Sequence, residues 1–512
     1  MNEPPASLQE LIAAQPSKRE PVMDHMRDLI QKFVDKGLLE FTYAHHLAWE
    51  YAQQCLEIYR ESVNDAGADP KANPQRRLND LVGLLSEAAP KLLSTKPGAK
   101  TICVVATYAA AKDRKKLMKS LKGHVAESLM HGSAHLGVMR LVDVTDDTVN
   151  VQKMLLDEIR STKAVVTYAA NGEVVGESLP PLVSIARHPQ GCKLLLRLLS
   201  PQKQHLEPDE EELFHQDNIL TSKKTPAARR QEHLAYLRGP LLQVCTRYAA
   251  ELARCRNGSK VLLEVISTYF PAKLMHKLVL LLSGQEVVPE DEDEEEDDDD
   301  ESVEDSDEDE EEEEEDGDDE EMDVVPAENE DEDGDDQDGN FDDDEESEDR
   351  GSRGSKKRKV SNSQEEVVTL ALEEDMASQK LLRKVLELQA QTEKGTVEDS
   401  ADWEQVPSGG EGDSSFYPFA CQLAEALGEA ELYSSWVERN RSAFLLADLA
   451  AVPSAREEVL KALQQKALLA TLKKQEHAGG KTLQEFVHVA TSAKKTPVKK
   501  TPVKKTPSKK KK

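Results

Sequence analysis

Apolar residues along this chain recur mostly three or four positions apart, a spacing that predicts amphipathic helices. One short pattern occurs twice, because Gly98-Ala-Lys-Thr-Ile-Cys is followed 36 residues later by Ala134-His-Leu-Gly-Val-Met. Each copy is a small residue, a variable residue and a mostly apolar run. Between the copies, Leu117, Leu121 and Val125 form an apolar stripe opposite a face of lysines. A fixed period in this range is typical of stacked helical repeats.

The pattern returns four more times along the chain, twice almost letter for letter. The close copies begin at Gly191 and Gly258, and the weaker copies begin at Ser378 and Ser442. A single unit of this kind has an apolar face that it cannot bury alone, so neighbouring units must stack to form a continuous core. The sequence therefore predicts an all-α fold, a helical-repeat solenoid with six such units.

Charge is segregated along the chain. Residues 286–350 contain 45 acidic residues and one basic residue, whereas the whole chain of 512 residues has a net charge of −34, so the other 447 residues carry +10. The acidic tract has too little apolar surface to offset the entropy of ordering it, which predicts a disordered insert. The last twenty residues hold ten lysines in Lys-Lys-Thr-Pro repeats, which predict a disordered basic tail.

These patterns divide the chain into six segments. A basic run between them, Lys356, Lys357, Arg358 and Lys359, matches a nuclear import signal. Its partner would be a nuclear import receptor, and we expect the protein in the nucleus. The predicted segments are a flexible lead-in over 1–17, helical repeats over 18–285, the acidic insert over 286–350, a basic linker with the import signal over 351–365, C-terminal helical repeats over 366–490 and the Lys-rich tail over 491–512.

Residues that could perform chemistry do not form a recognisable site. The six cysteines include no Cys-x-x-Cys pair, which indicates buried thiols in a reducing compartment. His45 and His46 are adjacent, so on a helix they diverge by about 100° and one packs while the other meets solvent. There is no Ser-His-Asp order, Gly-rich phosphate loop or membrane-length apolar run. We therefore expect a soluble intracellular monomer without enzymatic activity, cofactor, metal or membrane contact.

Several longer runs of the sequence resemble those of one protein family. They are Arg19-Glu-Pro-Val-Met-Asp, Asp35-Lys-Gly-Leu-Leu-Glu, Asp143-Val-Thr-Asp-Asp-Thr, Ser222-Lys-Lys-Thr-Pro-Ala-Ala-Arg-Arg and Trp436-Val-Glu-Arg-Asn-Arg. Over residues 18–283 and 366–490, the chain resembles the Penguin/Puf-A family of divergent pumilio-repeat proteins. The resemblance implies a pumilio-like solenoid and nucleolar, RNA-binding proteins needed to build large ribosomal subunits.

The residues that read bases in other pumilio repeats are missing from this chain. In sequence-reading repeats, the first and fifth residues of a five-residue run bind a base edge, and the second stacks on its ring. A Glu or Gln at the fifth place selects a purine edge. The fifth residues of the six runs here are Cys103, Met139, Leu196, Leu263, Arg383 and Ala447. The base code is therefore predicted to be absent.

Positive charge at another position of the runs indicates a different way of holding RNA. The second residue is lysine in four runs, and a stripe of lysines can follow a phosphate backbone without reading its sequence. The alternative is that lysine stems cover apolar neighbours while their ammonium groups stay in water. The candidate RNA-binding residues are the four second-position lysines, Lys100, Lys193, Lys260 and Lys380, together with His135, the first residue of one run. Two basic clusters are further candidates. The first is Lys112, Arg114, Lys115, Lys116, Lys119 and Lys122, and the second is Lys223, Lys224, Arg229 and Arg230.

These features favour one function over two others. We predict a sequence-tolerant RNA-binding protein that contacts the RNA backbone and acts in rRNA processing and large ribosomal subunit biogenesis in the nucleolus, with rRNA precursors as its RNA. The same surface could hold mRNA, as in a translational regulator, or DNA. The alternative from another class is a nuclear protein-interaction scaffold or histone-type chaperone, in which the acidic tract binds basic proteins.

Overall fold

The computed structural model of the chain describes residues 7–64, 75–168, 174–214, 223–285, 371–394 and 418–493. All of these residues belong to one compact unit, which takes in Met1–Val287 and Leu370–Lys512. The predicted acidic insert, the basic linker with its import signal and the Lys-rich tail beyond residue 493 lie outside the described residues.

Helices form most of the described chain. The first of them are α1 (Leu8–Ala14), α2 (Arg19–Asp35), α3 (Thr42–Asn64), α4 (Arg76–Leu85), α5 (Ala89–Leu92), α6 (Lys96–Tyr108), α7 (Ala111–Leu121), α8 (Val125–Met130), α9 (His135–Val144), α10 (Thr148–Val151) and α11 (Asp157–Ile159). Those that follow are α12 (Pro181–Arg187), α13 (Cys192–Leu199), α14 (Pro208–Glu211), α15 (Pro226–Arg247), α16 (Ala249–Arg254), α17 (Arg256–Tyr269), α18 (Ala272–Ser283), α19 (Met376–Glu393), α20 (Phe419–Glu429), α21 (Tyr433–Glu438), α22 (Asn440–Ala451), α23 (Arg456–Leu463), α24 (Lys466–Lys474) and α25 (Ala478–Ala493). Shorter 3-10 turns lie over Pro16–Lys18, Leu38–Glu40 and Leu372–Glu374, and a π turn lies over Gln152–Leu156.

Most helices are arranged as repeats of a short first helix, an inner helix and an outer helix. The inner helices pack on one another in chain order, α3 on α6, α6 on α9, α13 on α17, α17 on α19, α19 on α22 and α22 on α25. Because α17 precedes the insert and α19 follows it, the repeats on both sides of the insert form one continuous stack. The predicted all-α, helical-repeat solenoid is confirmed, and α6, α9, α13, α17, α19 and α22 contain the six predicted runs.

Two further inner helices, α3 and α25, extend the stack beyond the six predicted units. In α25, the run Gly479-Gly-Lys-Thr-Leu aligns with Gly258-Ser-Lys-Val-Leu of α17. Leu483 is fully buried, as an inner-helix residue at this place must be. Lys481 therefore takes the second position of a further run, whose polar Thr482 obscures the apolar pattern.

The flexible lead-in predicted over residues 1–17 is wrong for helix α1. Ser7 caps this helix by accepting a hydrogen bond from a backbone amide of the first turn at 3.2 Å. The Leu8 amide donates to the Glu50 carboxylate on α3 at 2.8 Å, and Leu8 and Ile12 are both buried. Helix α1 is too short to be stable alone, and burial of its apolar face stabilises it in the protein. The periodicity of so short a helix is easily missed in the sequence.

One short antiparallel hairpin adds a feature that the all-α prediction lacks. Strand β1 (Val165–Tyr168) pairs with strand β2 (Val174–Ser178) between α11 and α12, with Val165 opposite Ser178. All four residues of β1 are β-branched or aromatic, the types that favour strands over helices. The hairpin leaves the order of the repeats unchanged.

Glycine permits a close approach of two helices at the start of three inner helices. A Cβ atom at this place would meet a backbone oxygen of the preceding short helix, at 2.0 Å for Gly98, 2.9 Å for Gly191 and 2.7 Å for Gly258. These distances are too short for a carbon and an oxygen that are not bonded, so any larger residue would force the helices apart. The small residue of the repeat pattern is thus a packing requirement.

The predicted burial of the six cysteines is found at four of them. The buried ones are Cys55, Cys103, Cys192 and Cys245, whereas Cys255 and Cys421 are partly exposed. Burial raises the pKa of Cys103 to about 12, because its thiolate would lose its hydration. The buried thiols are therefore protonated at neutral pH and behave as small apolar residues.

Candidate nucleic-acid interface

The inner helices bring the second residues of the runs onto one face of the stack. Lys100 on α6 and Lys193 on α13 both approach the short helix α14, with their ammonium nitrogens 4.0 and 2.8 Å from its carboxylates. Lys193 on α13 and Lys260 on α17 belong to inner helices that pack on one another. Burial raises the pKa of the Cys192 thiol to about 11, although the positive charges of these two lysines act to lower it. The predicted stripe therefore exists as an arrangement in space.

The first part of this stripe is covered. The Lys193 side chain is only 11% exposed, and its ammonium group donates to Glu210 at 2.8 Å. The Lys100 side chain is 21% exposed, and its nitrogen lies 5.6 Å from the centre of the Trp49 ring. While these contacts hold, neither ammonium group is available to a phosphate.

His135 is completely buried, although its place in the run suggested an RNA contact. Its Nδ1 lies 3.1 Å from the His131 carbonyl oxygen, and its Nε2 lies 3.7 Å from the Glu210 carboxylate. Burial, assisted by the nearby charge of Lys193, lowers the pKa of His135 to about 4. The imidazole is neutral near pH 7 and packed inside the protein, so the predicted direct RNA contact is corrected to a packing role.

The second part of the stripe is open. Lys260 on α17 and Lys380 on α19 are exposed, and Lys481 on α25 adds a third exposed lysine at the equivalent position. Counting only contacts within the described ranges, none of these three lysines forms an ion pair. Phe444 on α22 holds the remaining second position and is partly exposed. We call Lys260, Lys380, Phe444 and Lys481 the open track.

The fifth residue of one run contacts the second residue of the next run. On α19, the Arg383 guanidinium lies 5.5 Å from the centre of the Phe444 ring. The same group donates from Nε to the Asp448 carboxylate on α22 at 2.5 Å. A place that selects purines in sequence-reading repeats is here used for contact between neighbouring repeats.

The basic cluster on the outer helix α7 consists of exposed lysines and one buried arginine. Arg114 is 2% exposed, and its guanidinium donates to the Ala106 and Thr107 carbonyls at the end of α6 at 2.9 and 3.0 Å. Burial lowers the pKa of Arg114 to about 10, which leaves it charged at pH 7. The predicted RNA-binding role of Arg114 is therefore corrected to a cap on α6. The exposed members are Lys112, Lys115, Lys116, Lys119 and Lys122.

Arg229, in the first turn of α15, is also a structural residue and not an exposed RNA contact. It is 2% exposed, and its guanidinium donates to a backbone carbonyl of α9 and to the Asp146 carboxylate, both at 2.8 Å. Lys224 pairs with a glutamate of α15 at 2.8 Å, and Arg230 is partly buried. Lys223 is the member of the second cluster that the structure leaves with an exposed side chain and no acid pairing with its ammonium group, within the described residues.

Sites of other kinds are not evident in the part of the chain that the structure describes. There, no helix is long and apolar enough to cross a membrane, and no three His, Cys, Asp or Glu side chains are placed to hold a metal ion. His45 is buried, with Nδ1 2.7 Å from the Thr95 hydroxyl, and His46 is exposed, as predicted. The predicted import signal over 356–359 lies outside the described residues.

Stacked three-helix repeats that present one common position along their inner helices are the architecture of a pumilio-type solenoid. The CPL (NUC119) domain matches residues 187–303 of this chain. Pumilio homology domain family member 6 of Schizosaccharomyces pombe is 24% identical over 264 residues, which are 51% of this chain and 35% of that protein. Protein penguin of Drosophila melanogaster is 19% identical over 230 residues, 45% of this chain and 26% of that protein. Over about half of its length, the chain is therefore similar in sequence to pumilio-homology and Penguin proteins.

Solved structures show the same fold. The crystal structure of human Puf-A superposes with a TM-score of 0.59 at 19% identity, over 94% of this chain and 69% of that chain. Human Puf-A in complex with DNA gives a TM-score of 0.58 at 18% identity, over 94% and 68% of the two chains. The sequence match with the first curated relatives spans about a third of their own length.

Proposed function

We propose that this protein binds RNA by its phosphate backbone along the open track, does not read base sequence, and acts in rRNA processing and large ribosomal subunit biogenesis in the nucleolus. The observation that carries the proposal is the row of exposed lysines at the second positions of α17, α19 and α25. Unpaired ammonium groups attract phosphates and release counterions when RNA binds. Phe444, between two of these lysines along the stack, offers a ring on which any base can stack.

Sequence tolerance follows from the residues at the fifth position. Cys103, Met139 and Leu196 are buried, and they carry no carboxylate or amide that could bind a base edge. Arg383 is engaged by Asp448. Base edges therefore find no fixed partner at these places, whereas the sugar-phosphate chain finds positive charge.

Family resemblance supports the cellular part of the proposal. The resemblance to Penguin/Puf-A proteins implies nucleolar work on the large ribosomal subunit. The run over 356–359 would bring the protein into the nucleus, and the lysines beyond residue 493 would add contacts that any RNA can satisfy. The DNA in one human Puf-A structure is compatible with a surface that holds phosphates, which DNA and RNA share.

Neutralising the open track should weaken RNA binding and flatten its salt dependence. We expect the triple variant Lys260→Gln, Lys380→Gln, Lys481→Gln to reduce the slope of log affinity against log salt for single-stranded RNA by about 2, because each lost phosphate contact removes about 0.7. Fluorescence anisotropy between about 50 and about 200 mM salt measures this slope. Wild-type protein should bind scrambled RNAs of equal length equally well.

The matched control changes three exposed lysines on α2, α18 and α23 in the same full-length chain. Lys32→Gln, Lys273→Gln and Lys461→Gln remove the same net charge, but these lysines lie off the inner face. This control should bind RNA with nearly the wild-type slope. An equal loss in both triple variants would show that net charge and not the open track holds RNA, and a strong preference for one short RNA sequence would contradict the missing base code.

The acidic tract favours a second function, binding basic proteins such as histones or ribosomal proteins. Its 45 carboxylates lie within 65 residues, a charge density that attracts polycations. Deleting residues 286–350 should abolish binding to a basic protein probe, such as free histone, and should leave RNA affinity equal or higher, because a competing polyanion is removed. Pull-down and anisotropy on the same variant measure both effects. Loss of RNA binding in this variant would contradict the open track as the RNA site.

A further inference from the structure

A short acidic segment of the chain crosses the inner face of the stack between α6 and α13. This acidic strap, residues 206–214, contains α14 and is held at both ends by buried apolar residues. Leu206 is 4% exposed at one end, and Leu213 and Phe214 are 6% and 7% exposed at the other. The carboxylate of Glu210 accepts a hydrogen bond from the Glu207 amide at 3.0 Å and so closes the turn between these ends.

The carboxylates of the acidic strap pair with cations of the inner helices. Asp209 lies 2.6 Å from the ammonium group of Lys96 on α6. Glu211 lies 3.4 Å from the guanidinium of Arg197 on α13. Together with the pair between Glu210 and Lys193, these contacts neutralise the cationic positions of α6 and α13 that would otherwise continue the open track.

The last residue of the acidic strap anchors it against two arginines of the inner helices. The centre of the Phe214 ring lies 5.4 Å from the Arg140 guanidinium on α9 and 4.6 Å from the Arg197 guanidinium on α13. Among the described inner helices, the neighbours α9 and α13 do not pack closely on one another, and Phe214 lies between them. The contacts of this ring with two guanidinium groups hold the C-terminal end of the acidic strap in place.

We propose that the acidic strap is an internal competitor for RNA, with carboxylates where phosphates would lie. In this proposal, which rests on the proposed RNA-binding function, the unliganded protein offers RNA only the open track. RNA bound there displaces residues 207–212 from Lys96, Lys100, Lys193 and Arg197 and gains a longer binding surface.

Two physical reasons favour displacement of the acidic part alone. The apolar ends, Leu206 and Phe214, stay anchored because RNA offers nothing to replace their burial. The pairs of Asp209 and Glu211 are partly exposed and are therefore weakened by salt and by competing anions. Because α17, which carries Lys260, packs on α13, which carries Lys193, an RNA held at Lys260 reaches the covered positions at high effective concentration.

The first test neutralises the acidic strap in the full-length protein. The variant Asp209→Asn, Glu210→Gln, Glu211→Gln keeps the size of each side chain, and glutamine can still close the turn at position 210. We expect its affinity for single-stranded RNA to rise at least about fivefold and its salt slope to steepen by about 2, because about three covered cations join the contact. The control Glu251→Gln, Glu429→Gln, Glu457→Gln makes the same change in net charge at exposed acids of α16, α20 and α23 and should raise affinity less than about twofold.

The second test uses the wild-type protein, so it holds even if the strap variant fails to fold. Hydrogen exchange of the amides of residues 207–212 should quicken when single-stranded RNA is added, because the displaced turn loses its backbone hydrogen bonds. Unchanged or slower exchange with RNA bound would overturn the proposal, as would equal affinity gains in the strap variant and its control. In either case, a preserved effect of the open-track variant would leave the proposed function standing, whereas loss of that effect would remove the function itself.

Discussion

Replacing Gly98 with alanine is expected to lower the free energy of unfolding by about 3 kcal/mol, at the upper end of what overpacking costs. The added Cβ would lie 2.0 Å from the backbone oxygen of Leu92, and that oxygen belongs to the rigid end of α5. Backbone cannot rotate away as a side chain can, so α5 and α6 must separate. Urea unfolding followed by circular dichroism measures the change.

An alanine at Gly83 is the matched control for this substitution. Gly83 lies inside α4, where a Cβ atom would have nothing within 4 Å. Here alanine should raise stability by about 0.5–1 kcal/mol, because it restricts the unfolded chain more than glycine does. If Gly98→Ala were as stable as Gly83→Ala, the close approach of α5 and α6 would not be a requirement of the repeat.

Replacing Arg229 with alanine is expected to destabilise the protein by about 3–4 kcal/mol, the usual cost of breaking a buried ion pair from one side. The guanidinium is nearly fully buried and joins the end of α9, the Asp146 carboxylate and the Lys224 carbonyl, which it reaches at 2.6 Å. Its loss would remove the guanidinium donor from these partly buried acceptors. Lysine at this place should rescue little, since one ammonium group cannot reproduce the planar fork.

The control for Arg229 is the exposed Arg76, whose change to alanine should alter stability by less than about 0.5 kcal/mol. Under conditions where Arg229→Ala remains folded, its RNA affinity should equal that of the wild type, because the guanidinium faces protein groups. A stable Arg229→Ala protein with weakened RNA binding would contradict the structural role and restore the RNA-binding prediction for this residue.

Local patterns in the sequence were sufficient for the repeated part of the fold. The glycine at positions 98, 191 and 258 and the apolar residues after it report the packing of one helix on its immediate neighbours, which is a short-range matter. The same reasoning predicted helical repeats over the α25 region but missed the run within α25, because Thr482 interrupts its apolar residues. It also missed α1, whose two buried residues are too few to set a period. The hairpin formed by β1 and β2 was missed for a related reason, since four residues carry little pattern.

The candidate interface was predictable only where no distant segment covers it. Lys260 and Lys380 could be placed on one face from their position in the repeat, and the structure leaves both exposed. Lys193 occupies the same position but meets Glu210 of the short helix α14, and Lys96 meets Asp209 more than a hundred residues away. Arg114 looked like part of a basic surface, although its side chain turns inward to carbonyl groups. Such contacts depend on the course of the chain in space, which spacing along it does not report.

The packing of α17 on α19 and of α18 on α20 has a consequence for how this chain can vary. Residue 285, the last described before the predicted insert, and residue 371, the first described after it, belong to neighbouring repeats. Loop-closure entropy grows only with the logarithm of length, so doubling an insert here costs roughly 0.6 kcal/mol. Mutation can therefore lengthen, shorten or recharge the acidic tract almost independently of the helices, and the amount of negative charge can evolve as a separate quantity on a scaffold that stays the same.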